Sequence, residues 1–167
     1  MAVTAELESR LLIRFGPSGD LQGGPTGGAE VATKKTLLYG ASADQIHKGW
    51  HDTRTLGAGA TEDLDLQAQT DQYGVALGLA GVVALRLCAD AANTAEITFE
   101  PAAANGWTAF IGAVGDIINL EPGMVVHVEC TPAADLLVDA THKVITVTNT
   151  SGAAGNTYTI SLVGRTS

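Results

Sequence analysis

The sequence predicts an all-β protein, namely an antiparallel β-sandwich of jelly-roll-like form that is preceded by an extended N-terminal arm. Three observations lead to this prediction. After Gly57, short apolar runs alternate with polar residues at a period of two, as in half-buried strands. Turn signals separate these runs, and 20 of the 167 residues are glycine. No long helical stripe is present after residue 60. Few aromatics (5%) and many small residues also fit a turn-rich β protein better than a helical bundle.

Residues 1–57 are predicted to form an arm that lacks a core of its own. The run "ESRLLIRF" places Leu11, Ile13 and Phe15 on one face of an extended segment, although Leu7, Leu11 and Leu12 also fit a helical stripe. The following "GPSGDLQGGPTGGAE" has the glycine and proline density of a flexible linker. We then expect a strand in "VATKKTLLYG" and an irregular connection in "SADQIHKGW".

Residues 58–167 are predicted to form the sandwich domain. In "EDLDLQAQ", Leu64 and Leu66 alternate with acids, which is typical of a half-buried strand. The run "GVVALRLCA" is almost entirely apolar and is expected at the centre of a sheet. Further strands are expected in the turn-separated runs "AEITFE", "GWTAFIG", "DIINLEPGMVVHVEC", "DLLVDA", "KVITVTNT" and "NTYTISLVG".

The stretch "GWHDTRTLGAGATEDLDLQ" is expected to join the arm to the sandwich. Trp50 and Leu56, together with Thr53, would pack the incoming chain against the sheet. Residues 57–60 would turn the chain, and residues 62–66 would begin the first sandwich strand. A second turn is indicated at Pro122-Gly123, which has the residue order of a type II turn.

Composition argues against nucleic acid and membrane as partners. The formal net charge is −9 and the sequence pI is about 4.6, so phosphate backbones and anionic lipids repel the chain. Lys34-Lys35 is the densest cationic spot, and there is no basic patch around it. We find no signal sequence and no apolar run of membrane-spanning length, which predicts assembly in a cytoplasm.

The sequence offers no convincing metal site. Cys88 and Cys130 are expected to be reduced thiols, because two isolated cysteines lack the paired spacing of zinc ligands. His47 and His51 are four residues apart, but no glutamate completes a metalloprotease motif. The acids at 62, 63, 65 and 71 lack the calcium-loop spacing and fit a solvated strand face better.

We also find no pattern of an enzyme or of a bound cofactor. Neither Ser18 nor Ser151 completes a nucleophile elbow, and no phosphate-cradling glycine loop is present. Trp50 and Trp107 could stack on a bound sugar or could pack in the core or at an interface. Packing is the more frequent role of tryptophan. Our candidate interface residues are therefore Leu11, Ile13, Phe15, Trp50 and Trp107, with no catalytic, cofactor or metal residue.

About two thirds of the chain resembles a family of small tailed-bacteriophage virion proteins, described as minor structural proteins. The resemblance runs through "WHDTRTLGAGATEDLDL", "TDQYGVAL", "VVALRLC", "NLEPGMVVHVECT" and "VITVTNTSGAAGNTYTISLVG", in that order. Its most specific parts are the entry from "WHDTRTL" to "EDLDL" and the closing hairpin. Residues 1–45 match the family less well.

The resemblance implies a β-sandwich carried on a virion. We expect a capsid decoration (cement) protein on the exterior of the head, assembled in the host bacterial cytoplasm. Its partners would be the major capsid protein and further copies of itself, most simply as a trimer. The alternative is a module of the tail or fibre that recognises the host, for example a carbohydrate-binding β-module.

Overall fold

A computed structural model describes residues 4–15, 27–130 and 135–166 of the chain, with side chains given for residues 4–8, 30, 32–130 and 135–166. Within these residues it contains one short helix, α1 (Thr108–Ile111), and twelve strands. These strands are β1 (Ala5–Phe15), β2 (Gly27–Tyr39), β3 (Gln45–Ile46), β4 (Lys48–Leu56), β5 (Thr61–Asp65), β6 (Gly81–Ala89), β7 (Ile97–Pro101), β8 (Ile118–Leu120), β9 (Val125–Glu129), β10 (Leu136–Leu137), β11 (Val144–Asn149) and β12 (Asn156–Arg165).

Two antiparallel sheets form the sandwich, so the predicted fold class is confirmed. Sheet one has the order β4-β12-β6, with β9 and β10 pairing along the other side of β6. Sheet two has the order β5-β11-β7-β8. The ladder between β12 and β6 shifts register between Val163 and Gly164. Such a bulge changes which side chains face the core and which face outward.

The core lies between the two sheets and follows the period-two pattern of the sequence. In β12, Tyr158, Ile160 and Leu162 are buried while the residues between them are only half-buried. The Tyr158 ring meets the Phe99 ring of sheet two edge-on, with 5.4 Å between centroids. Their contact joins the sheets with the edge-to-face geometry that aromatic pairs prefer.

Hydroxyl pairs cover the outer face of sheet one between β4 and β12. The Oγ1 atoms of Thr53 and Thr159 are 2.9 Å apart, and those of Thr55 and Thr157 are 2.8 Å apart. Because the pairs sit directly opposite each other in the ladder, each hydroxyl has its partner on the neighbouring strand. Thr53 therefore faces outward, whereas Trp50 and Leu56 are buried as the sequence predicted.

The N-terminal arm is a long two-stranded hairpin. Strands β1 and β2 pair in continuous register from Ala5↔Leu37 to Phe15↔Gly27. At about 3.4 Å per residue, eleven such pairs extend over about 35 Å. At the base of the hairpin, Leu37 packs with Ile46 and Val83 in a small cluster outside the main core, against which Ala5 and Leu7 also pack. The linker expected around residue 20 lies outside the described residues, apart from its last part, which belongs to β2.

The sandwich begins earlier in the chain than the expected boundary at residues 57 and 58. Strand β4 pairs with β12 from Leu56↔Asn156 to Lys48↔Gly164 and forms the edge of sheet one. The run "SADQIHKGW", expected to be irregular, contains β3 and the start of β4. Both expected turns are present: Gly59 and Gly123 have positive φ, and Met124 N donates to Glu121 O at 2.8 Å.

Candidate interaction surfaces

The apolar residues predicted for the arm lie in the outer half of the β1–β2 ladder. Leu11 pairs with Val31, Ile13 with Ala29 and Phe15 with Gly27. The side chains of Leu11, Ile13 and Phe15 lie outside the described residues. Their position along the backbone ladder is nevertheless several pairs away from the base, where the described hairpin side chains pack on the sandwich.

Trp107 is a core residue, which corrects its expected place at an interface. Its side chain is fully buried. The indole Nε1 donates a hydrogen bond of 2.8 Å to the carbonyl oxygen of Leu137, and the ring packs near Phe110 with 6.4 Å between centroids. Because a buried indole N–H needs an acceptor, this contact explains why a tryptophan fits there. Trp107 offers no surface to a partner.

Trp50 is also largely buried, with 8% of its surface exposed, but its exposed part lines a groove. The guanidinium carbon of Arg54 lies 5.7 Å from the centre of its ring, which is within cation–π range. Trp50 therefore contributes mainly to the core and only marginally to the surface.

A polar network joins the two sheets beside Trp50. Arg54 of β4 donates to Asp52 Oδ2 (2.8 Å), to Glu62 Oε2 (2.6 Å) and to Gln69 Oε1 (3.0 Å). Tyr158 donates its hydroxyl proton to Glu62 Oε1 at 2.9 Å. Burial raises the pKa of Tyr158, and the bond to Glu62 raises it further. Burial opposes the charge of Arg54, but the bonds to Glu62 and Asp52 leave its pKa raised overall. The network holds the β4 edge closed against sheet two.

The groove next to this network has a volume of about 620 Å³. One wall is the edge of β4, to which residues 48–52 contribute consecutively. The other wall is the loop at residues 70–73, and Leu162 and Val163 of β12 also line the groove. Because consecutive strand residues line it, the groove runs along the strand edge and not over one sheet face.

The loop wall of this groove is fixed by Asp71. Its Oδ1 accepts hydrogen bonds from the backbone N–H groups of Tyr73 and Val75, both at 3.0 Å. Its Oδ2 accepts from Lys48 Nζ at 2.9 Å. The bond from Lys48 and then those from the backbone amides lower the pKa of Asp71. The loop is thereby attached to β4 and presents Tyr73, which is 61% exposed.

A smaller groove of about 290 Å³ separates the base of the hairpin from the outer face of sheet one. Residues 5–8 form one wall, and Arg86, His127 and Ser161 form the other. His127 Nε2 lies 3.6 Å from Glu129 Oε1. Acidic side chains at positions 6 and 8 offset the positive charge of Arg86, so the groove has no net attraction for anions.

The residues weighed as metal ligands are spread over the fold. His51 lies on the outer face of β4 with its Nδ1 2.7 Å from Ser161 Oγ, and His47 Nδ1 accepts from Thr166 N at 3.2 Å. Asp63 and Asp65 bind Thr146 and Lys143 respectively. Within residues 4–15, 27–130 and 135–166, three or more His, Cys, Asp or Glu side chains nowhere come together as a metal site.

The two cysteines are not joined by a disulfide and lie apart. Cys88 pairs with Val125 at one end of the β6–β9 ladder, whereas Cys130 N donates to Val83 O at the other end. Five residues along a strand correspond to about 17 Å. A disulfide needs Cα atoms within about 7 Å.

Among the helices of residues 4–15, 27–130 and 135–166, none is long and apolar enough to cross a membrane. Comparison with protein-family models, with curated proteins and with solved structures found no match.

Proposed function

We propose that this protein is a structural component of a bacteriophage virion, a decoration protein that stabilises the head shell. The single observation that carries the proposal is the N-terminal hairpin, whose two strands form a ladder of eleven residue pairs. The described side chains of this hairpin that pack on the sandwich all lie at its base. An isolated two-stranded ribbon is at best marginally stable in water. A hairpin of this length is therefore expected to be stabilised by a further protein surface, here the major capsid protein.

Electrostatics and the sequence resemblance support the same function. A chain with a net charge of −9 is repelled by packaged DNA and fits the exterior of a shell better than its inner surface. The fragments from "WHDTRTL" to "YTISLVG" are similar to those of minor phage structural proteins. No enzymatic role is proposed, because the sequence carries no catalytic motif.

Multiple copies would strengthen the attachment. If three arms project from one closed trimer at a local threefold axis, binding of one arm raises the effective concentration of the other two. A modest contact per arm then gives a durable complex. Multi-angle light scattering of the isolated protein tests the oligomer: about 51 kDa is expected for three chains of 17.1 kDa. A mass of one chain contradicts the trimer.

Binding to undecorated heads tests the function. We expect the full chain to co-sediment with heads, and Ile13→Ser to weaken binding at least tenfold, because the sequence alternation assigns Ile13 to the apolar face with Leu11 and Phe15. The matched control is Leu12→Ser, a change of similar size at a residue that the same alternation assigns to the opposite face of the strand. Equal loss for both variants, or binding to tails instead of heads, contradicts the proposal.

A further inference from the structure

The groove at the edge of β4 combines an exposed aromatic ring with polar side chains. Tyr73 stands on the loop wall, and the exposed part of Trp50 lies on the strand wall. Thr70, Gln72 and Asp52 line the same groove. Rings such as tyrosine and tryptophan offer an apolar face to the C–H surface of a pyranose, while amides, hydroxyls and carboxylates bond its hydroxyl groups.

The size of the groove suits a short oligosaccharide. Its volume of about 620 Å³ lies within the range of pockets that bind small molecules, about 300–1,000 Å³. The groove is partly open to solvent and is not an enclosed cavity, so a short chain of sugars need not fit wholly within it.

The charged side chains Lys48, Asp71 and Asp52 of the groove already have ion-pair partners, which defines the class of sugar. Lys48 Nζ binds Asp71 at 2.9 Å, and Asp52 accepts from Arg54 Nε at 2.8 Å. Among the described residues that line the groove, no lysine or arginine is left over to attract a carboxylate or a sulfate. The whole chain also carries a charge of −9. A neutral saccharide therefore fits, and an acidic one does not.

The aromatic wall is held in place before any ligand arrives. Asp71 accepts hydrogen bonds from the N–H groups of Tyr73 and Val75, and Gly74 takes the positive φ that closes the turn. Asp71 N also donates to Val75 O at 2.8 Å. Because the loop is already ordered, binding does not have to order it.

We propose that this groove is a binding site for neutral oligosaccharides, with Tyr73 as the stacking platform and the exposed part of Trp50 on the strand wall. The site is independent of where the protein sits on a virion, since every residue in it belongs to one chain. Experiments on the isolated protein therefore test the sugar site, and experiments on undecorated heads test the decoration role, so that either proposal can fail without the other.

Proton–nitrogen correlation spectra of the full chain test the site with maltotriose, cellotriose, chitotriose and galactotriose, each to 10 mM concentration (roughly ten times a weak Kd of 1 mM). The two tryptophans give two indole signals, which provides an internal control. We expect at least one sugar to shift the Trp50 indole and the amides of residues 70–73. The Trp107 indole, bonded to Leu137 O within the core, should stay unchanged. No shift at the groove with any of the four sugars overturns the proposal.

A matched pair of variants tests the platform. Tyr73→Ala should weaken the binding of the responding sugar at least tenfold, whereas Tyr39→Ala should leave it unchanged, because Tyr39 is comparably exposed (52%) but is not among the residues that line the groove. Trigalacturonate is the charged control and should cause no shift at the groove. Equal effects of the two variants, or stronger binding of trigalacturonate than of the neutral sugars, would refute the site.

Discussion

Arg54 and Glu62 join the two sheets at the edge of the sandwich formed by β4 and β5, with 2.6 Å between Arg54 Nη1 and Glu62 Oε2. Arg54 belongs to the edge strand of sheet one and Glu62 to the edge strand of sheet two. Both side chains are about three-quarters covered. Tyr158 also binds Glu62, so that the carboxylate is shared between a charged and a neutral donor. This contact closes the edge next to which the groove forms.

Removing Arg54 should destabilise the sandwich more than removing an exposed ion pair does. Arg54→Met leaves Glu62 and Asp52 without their cation, and we expect the free energy of unfolding to fall by about 1–3 kcal/mol. The control is Lys34→Met, whose pair with Glu6 is mostly solvent-exposed and whose loss should change the stability far less. Urea denaturation measures both. Equal destabilisation by the two variants would show that the sheets do not depend on this contact.

Asn149 should be the most sensitive polar residue of the joint between β4 and β5. Its buried amide donates to the carbonyl oxygens of Leu56 (3.0 Å) and Gly57 (2.8 Å), and its Oδ1 accepts from Asn156 Nδ2 at 2.9 Å. We expect Asn149→Ala to cost about 2–4 kcal/mol, because it leaves buried carbonyls unpaired.

Thermal or urea unfolding measures the effect of Asn149→Ala, and a second asparagine variant is the control. Asn119→Ala removes an exposed amide from β8 and should shift stability by less than about 0.5 kcal/mol. A cost for Asn149→Ala below about 1 kcal/mol would mean that water or another donor replaces the lost bonds.

Two truncations should separate the hairpin from the sandwich. Deleting residues 1–40 removes Leu37 from its small cluster, and we expect a cooperative thermal transition at lower temperature, with a loss of about 2–3 kcal/mol. Deleting residues 1–57 also removes β4 and Trp50, and should abolish the cooperative transition. Circular dichroism of both truncated chains checks this. A cooperative transition in the shorter chain would place the domain boundary at residue 57 after all.

Both thiols should be reduced in the purified protein. Cys88 and Cys130 lie at opposite ends of the β6–β9 ladder, too far apart for a disulfide within one chain. We expect a thiol reagent to titrate two groups per denatured chain without prior reduction, and the intact mass to match the reduced sequence. A mass lower by two hydrogens would contradict the register of β9 against β6.

The period-two strands were predictable because their two faces differ in polarity. Leu64, Ile145, Val147 and Ile160 are all buried, as their alternation with acids, threonines and serines indicated. Such alternation is what a sheet with one solvated face requires. The turn at Pro122-Gly123 was also predictable, because the backbone preferences of proline and glycine themselves favour a type II turn.

Strand β4 escaped prediction because its inner face is partly polar. On this face Asp52 and Arg54 lie between Trp50 and Leu56, so the sequence shows no apolar period. The structure stabilises this face through Glu62 and Gln69, which come from later parts of the chain. A pattern within one strand contains no information about partners that distant.

The burial of Trp107 and the groove could not be predicted from the sequence for the same reason. Trp107 and its acceptor Leu137 are thirty residues apart, so its burial depends on tertiary contacts. Tyr73 lies in a loop without periodicity, and only the fold brings it to the same groove as Trp50. The only signal in the sequence is the pair Asp71 and Gly74, residue types that favour a turn.

Electron cryomicroscopy of the phage particle that carries this protein tests the decoration role most directly. We expect density for the sandwich on the outside of the head, at the local threefold axes, with each β1–β2 hairpin lying against a neighbouring capsid subunit. Density for the protein at the tail or fibre and none on the head lattice would contradict the decoration role.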